Sequence, residues 1–226
     1  MAKTNKKDEK ITSEVRLLSK IADFITANKK LIIYSVCAIV AIVVVVVVIS
    51  SSSVKSKEKK MIALDALEER YSAFVAMDTS DADHYQTYSD LINDLNVYVD
   101  GKSYVSVKAA YLMGLTYLSQ KHYTPAYDAF MNAYNLNSKI YLAPLALYNA
   151  ATCKESLGET DSAFDLYKQV SEIEESGLKE RALFNMGRIY LQKGNDALAK
   201  ATFQQIVDMQ STSEYKALAR NILTTM

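Results

Sequence analysis

The sequence predicts an all-α protein in two parts. One apolar helix long enough to cross a bilayer comes first; an α-solenoid of about four helical hairpins plus a C-terminal capping helix follows. Three observations predict this. Leu31–Ile49 is a run of nineteen residues without a charge. Only two prolines and six glycines occur in 226 residues, so little interrupts helix. Finally, a set of small and aromatic residues recurs 36 or 37 residues apart in the C-terminal half.

Residues 1–30 form a basic arm. Ile11, Val15, Leu18, Ala22 and Ile25 recur every three or four residues there, and Leu17, Ile21 and Phe24 widen the stripe. This spacing predicts an amphipathic helix over residues 11–27, on the membrane surface or against a membrane partner.

The apolar run at 31–49 spans roughly 28 Å as a helix at ~1.5 Å per residue, close to the ~30 Å hydrocarbon thickness of a bilayer. A cleavable signal peptide has a shorter apolar region, and this one begins thirty residues in. Val43–Val48 are six β-branched residues in succession. Such residues form helix poorly in water, but in lipid the backbone has only itself to bond to. The run reads as a permanent anchor. Cys37 lies inside it after Val36, which excludes a lipoprotein attachment site. Eight Lys/Arg precede the run and four (Lys55, Lys57, Lys59, Lys60) follow closely, so the N-terminus is expected inside and the remainder outside. Residues 50–58 read as a linker and 59–226 as the solenoid domain.

Formal charge is zero overall but unevenly placed. Residues 1–54 carry eight bases against four acids, and residues 55–226 carry 18 against 22. An acidic domain excludes nucleic acid as partner, since phosphate contacts need a basic face. Cys153 is alone in the domain and reads as a small buried hydrophobe.

The solenoid is legible from its repeat. Gly114, Tyr117, Ala126 and Phe130 have the same spacing as Gly187, Tyr190, Ala199 and Phe203. Between them Ala151, Ala163 and Tyr167 keep the positions of the glycine, the alanine and the phenylalanine. Gly114 and Gly187 are expected to let paired helices approach closely. Gly158 and Gly194 are expected to end first helices, and Thr124-Pro125 to start a second. This pattern resembles the tetratricopeptide repeat, Gly-x-x-Tyr followed by Ala-x-x-x-Phe. Repeats are expected near 107–137, 144–173 and 180–209. A degenerate hairpin is expected over 59–99, with its turn at Asp78–Asp83. A capping helix over 212–224 is expected to open at Ser211 and Glu214, which have capping-box spacing.

Nothing catalytic stands out: no Ser/His/Asp arrangement, Gly-rich phosphate loop, CxxC or HExxH occurs. No enzyme activity, cofactor, metal or small-molecule substrate is therefore expected. His84 and His122 read as surface residues, and Glu172, Glu174 and Glu175 as a solvated helix end.

In the tetratricopeptide family the second, fifth, ninth and twelfth positions of each unit line a peptide groove. Here the resemblance implies Lys108, Tyr111, Leu115 and Leu118, then Leu145, Tyr148, Thr152 and Glu155, then Arg181, Phe184, Arg188 and Leu191. The fifth position is aromatic each time, which suits apolar peptide side chains. The clamp for chaperone tails, Lys at the fifth position and Asn at the ninth, is absent: those positions hold Tyr111 and Leu115.

The layout as a whole resembles the bacterial ancillary subunit of the Sec translocon. That resemblance implies a single-pass protein of the bacterial inner membrane with a periplasmic repeat domain. It implies translocon subunits, periplasmic chaperones and newly exported chains as partners, and a chaperone-adaptor role. The alternative is a scaffold subunit of a fixed envelope complex serving cell division, motility or envelope maintenance.

Overall fold

A computed structural model describes residues 6–226, with side chains from Val15 onward except Ser52 and Glu175. Ile11 of the apolar stripe and Glu175 of the acidic run lie outside the described side chains. Ten α-helices follow one another without a strand among the described residues. They are α1 (Lys6–Ala27), α2 (Lys29–Ala76), α3 (His84–Asn96), α4 (Tyr104–Ser119), α5 (Tyr123–Leu136), α6 (Ala143–Ser156), α7 (Thr160–Ser171), α8 (Lys179–Gln192), α9 (Asp196–Asp208) and α10 (Glu214–Thr225). The chain divides into two compact units, one ending at Glu58 and one beginning at Lys59.

In the first unit, Val15, Leu17, Leu18, Ile21, Phe24 and Ile25 of α1 are all exposed. Helix α2 contains an 18-residue window of mean hydropathy 3.3, none of it buried, and it alone among the described residues is long and apolar enough to cross a membrane. Residues 50–58, expected as a linker, are helical. The reason is local. Neither Gly nor Pro occurs between 29 and 76, and lysine and glutamate favour helix.

The second unit is a stack of hairpins. Its main core runs through α4 to α10, and a second cluster joins Leu64, Leu67 and Phe74 of α2 to Leu91 and Leu95 of α3 and to Val105, Ala109 and Leu112 of α4. Helix α4 serves both clusters, so half of its sixteen residues are buried. Its apolar residues accordingly surround the axis instead of forming one stripe.

Close approach within each hairpin rests on the glycine position. A Cβ on Gly114 would lie 2.5 Å from the Phe130 ring, and one on Gly187 would lie 2.7 Å from the Phe203 ring. In the middle hairpin Ala151 and Tyr167 take these places, both buried. The first helices end alike. Gly158 and Gly194 have φ of +78° and +68°, and Lys121 takes the same conformation at +58°. The next residue's N–H then reaches back five positions, from His122 to Tyr117, Glu159 to Lys154 and Asn195 to Tyr190, at 2.8 to 3.0 Å.

Several expectations need correction. Helix α5 begins at Tyr123 with His122 before it, so Thr124 is not its cap and Pro125 sits inside the first turn. That is tolerated because the N–H proline lacks would be unpaired there anyway. The last helix is capped by Ser213, whose hydroxyl accepts from Lys216 N–H, while the Ser211 hydroxyl is buried without a partner. His84 is 8% exposed, its ring 4.9 Å from Phe74, because it fills the gap at the start of α3. His122 is exposed and bonds through Nδ1 to the Tyr88 hydroxyl at 3.0 Å. The acidic run ends α7 and enters a short 3-10 turn, Glu174–Ser176.

Two substitutions test this packing. Gly114→Ala or Gly187→Ala each lowers unfolding free energy by ~1–3 kcal/mol, because a buried aromatic ring must move. Lys121→Gly raises it by up to ~1 kcal/mol, by removing a left-handed side-chain penalty. Urea unfolding followed by circular dichroism reads both.

Candidate functional site

First helices α4, α6 and α8 carry the positions expected to line one face: Lys108, Tyr111 and Leu115; Leu145, Tyr148 and Thr152; and Arg181, Phe184 and Arg188. Each fifth-position aromatic leans on a ring from its own second helix. Tyr111 lies 5.5 Å from Phe130, Tyr148 5.3 Å from Tyr167, and Phe184 5.6 Å from Phe203. The rings that set the approach of the two helices within a hairpin therefore also support the face.

Adjacent first helices are tied by a repeated hydrogen bond. Asn149 Nδ2 donates to the Tyr111 hydroxyl at 3.1 Å, and Asn185 Nδ2 donates to the Tyr148 hydroxyl at 2.7 Å. Phe184 has no hydroxyl to continue the series; Tyr215 of α10 packs on its ring at 5.6 Å instead. Sequence reasoning missed this ladder. Its signal was present, since each Asn directly follows the fifth-position aromatic of its own repeat.

The structure does not bring all predicted residues to the surface equally. Tyr148 is 6% exposed. Tyr167 and the Arg181 guanidinium, 4.3 Å over its ring, cover it. Tyr111, Leu115, Leu145, Thr152 and Phe184 are half-exposed.

Charges on the face are mostly committed. Lys108 Nζ bonds Glu68 at 2.5 Å and approaches Asp65 at 3.8 Å. Burial works against its charge, but the Glu68 bond and neighbouring Tyr104 outweigh that and raise its pKa. Arg188 pairs with Glu155, which also accepts from the Tyr167 hydroxyl at 3.0 Å. Burial pushes the Tyr111 and Tyr167 hydroxyls above the usual phenol range. Both are neutral donors or acceptors at any physiological pH.

A cavity of about 210 Å³ opens on the same face, with Glu68, Tyr71, Tyr104, Lys108, Tyr111 and Tyr141 in its wall. Tyr141 is 74% exposed and stacks on Tyr104 with ring centroids 5.9 Å apart, their hydroxyls meeting at 3.1 Å. Tyr71, Tyr104 and Tyr141 lie outside the repeat positions, so no periodic signal marked them.

Models of the tetratricopeptide repeat match residues 145–173 and 180–213. A TPR repeat-containing protein of Treponema pallidum is 27% identical over 122 residues, 54% of this chain and 50% of that protein. The chain thus spans about half the length of this relative. Two solved structures, described as a kinesin light chain of Podosopora anserina with nearly identical TPR-like repeats and a substituted form of it, align with a TM-score of 0.54. Identity is 11%, over 74% of this chain and 84% of theirs. That likeness shows the fold. The chain therefore carries tetratricopeptide repeats in an all-helical solenoid, the architecture of a protein–protein interaction module.

Two further outcomes follow from the site. Tyr148→Phe leaves the Asn185 amide without its acceptor and costs ~1 kcal/mol in urea unfolding. Cys153 is fully buried, and burial pushes its thiol from 9.0 up to about 11. It therefore resists a thiol reagent at pH 8 in the folded protein and reacts once unfolded. Because the folded value is the raised one, its contribution to stability is fully present below pH 9 and is lost between pH 9 and about 11. Cys153→Ala flattens that part of the stability profile.

Proposed function

We propose that the chain is a single-pass protein of a bacterial cytoplasmic membrane, its N-terminal arm inside and its repeats in the periplasm. In this reading the first-helix face is a groove that holds segments of exported proteins beside the Sec translocon, as a chaperone-adaptor working with periplasmic chaperones.

One observation carries the anchoring: the apolar window of α2 is entirely unburied. Nothing among the described residues covers it, and hydrocarbon is the solvent in which such a helix is stable. The lysine and arginine excess before the window supports the orientation. Tethering supports the rest. A groove fixed near a channel meets emerging segments at high effective concentration, so weak and varied binding suffices. The layout of short arm, one span and repeats is the feature that resembles the translocon's ancillary subunit.

Protease treatment of intact spheroplasts tests the orientation: digestion of the repeats with the arm protected is expected, and protected repeats overturn it. In-cell photocrosslinking from position 141, with 111 as a second probe, tests the role. Position 148 is unsuitable, because Tyr148 is buried. Adducts to many exported proteins and to channel subunits are expected. A single stoichiometric envelope partner replaces this role with that of a scaffold in a fixed complex.

A further inference from the structure

Three cations lie on the first-helix face, and their surroundings differ. Lys108 is neutralised by Glu68, and Arg188 by Glu155. Arg181 has no carboxylate within ion-pair distance among the described residues. The residue is half-buried, and its guanidinium lies over the Tyr148 ring, 4.3 Å from the centroid. Stacking fixes the plane of a guanidinium while leaving its N–H edge free to donate, often in pairs to one carboxylate. The Arg181 charge also reaches the hydroxyls of Tyr111 and Tyr215, where it opposes the upward push of burial. Arg181 thus sits where α8 meets α6.

The cavity of about 210 Å³ shares Tyr111 with this neighbourhood. Ser72, Leu112, Leu115 and Leu142 complete its wall, and its single cation, Lys108, is already paired. Aromatic and aliphatic walls around a neutralised charge suit an apolar side chain.

Resting on the reading of this face as a peptide groove, we propose that it takes an extended segment of a protein partner through two features. An Asp or Glu side chain pairs with Arg181, and an aromatic or aliphatic side chain enters the tyrosine-lined cavity. Charge complementarity favours this occupant. The repeat domain is acidic overall, with 22 acids against 18 bases from residue 55 onward, so an acidic segment gains only where an uncommitted cation faces it. A chain-terminal carboxylate is the poorer fit. Holding one takes several free donors, and here Lys108 and Arg188 are committed to Glu68 and Glu155.

The test uses the full-length protein in detergent micelles. The probes are labelled nonapeptides, acetylated and amidated, in a Gly/Ser background. Each carries one leucine and, at varied spacing from it, one Asp, Asn or Lys. Fluorescence anisotropy is expected to show the best Asp peptide binding about five-fold or more tightly than its Asn counterpart at low salt. The advantage should vanish at about 0.5 M salt, where charges are screened within a few ångströms. Arg181→Gln should erase it, and Arg181→Glu should transfer it to the Lys peptides. Tyr141→Ala, at an exposed position, should weaken Asp and Asn peptides alike and leave their ratio intact. Equal binding of Asp and Asn peptides by the unaltered protein overturns the proposal, as does a ratio that survives Arg181→Gln or a free C-terminus that outweighs the acidic side chain. The salt dependence decides the matter should an Arg181 variant misfold. Failure of every peptide to bind overturns the groove reading itself; binding without an acidic preference overturns this proposal alone.

Discussion

In two of the repeats an aromatic ring from the second helix presses onto a first-helix glycine. Phe130 lies over Gly114 and Phe203 over Gly187, and in the middle repeat Ala151 and Tyr167, both buried, hold the corresponding sequence positions. Everything else in the repeats is arranged around these contacts. A ring inserted at van der Waals distance fixes how near the two helices come. It also buries one of the largest side chains of each hairpin and gives the next hairpin a flat surface to stack upon. The same rings lie 5.3 to 5.6 Å from the fifth-position aromatics, so the geometry of the exposed face is set from inside.

That internal setting explains why neighbouring residues of one type have different roles. Tyr111, Tyr148 and Phe184 occupy equivalent positions. Tyr148 alone is buried, covered by the Tyr167 ring and the Arg181 guanidinium, and the Tyr167 hydroxyl bonds Glu155 and Thr152 where its counterparts are phenylalanines. Glu155 is thereby placed to take Arg188, and Arg181 is left to the Tyr148 ring. The Tyr167 hydroxyl thus helps to hold Glu155 where Arg188 meets it, whereas Lys108 is taken by Glu68 of α2.

Much of the solenoid was legible in the sequence because its constraint is periodic. A position that tolerates only Gly or Ala, opposite one that needs a large ring, repeats every 36 or 37 residues and cannot drift. The left-handed turns at Gly158 and Gly194 were legible for the same reason, and Lys121 was hidden because lysine adopts that conformation only at a cost. Caps were read less well. Ser211 and Ser213 offer the same chemistry two residues apart, and only the packing of α10 decides between them. The first hairpin carries no small-residue signature. Its contribution to the cavity through Tyr71, and the burial of His84 against Phe74, depended on contacts that no spacing encodes. On the face, residue positions were readable but their exposure was not, because exposure depends on which neighbours pair with one another.

A double-mutant cycle between positions 187 and 203 tests the governing contact most directly. A Cβ at 187 meets Cε1 and Cζ of Phe203 at 2.7 Å, atoms that leucine lacks. If the ring-over-glycine contact governs the hairpin, Gly187→Ala combined with Phe203→Leu costs less than the two single losses together, by ~1 kcal/mol or more in urea unfolding. Losses that add to within ~0.5 kcal/mol would contradict it, and would mean that the glycine and the ring contribute independently.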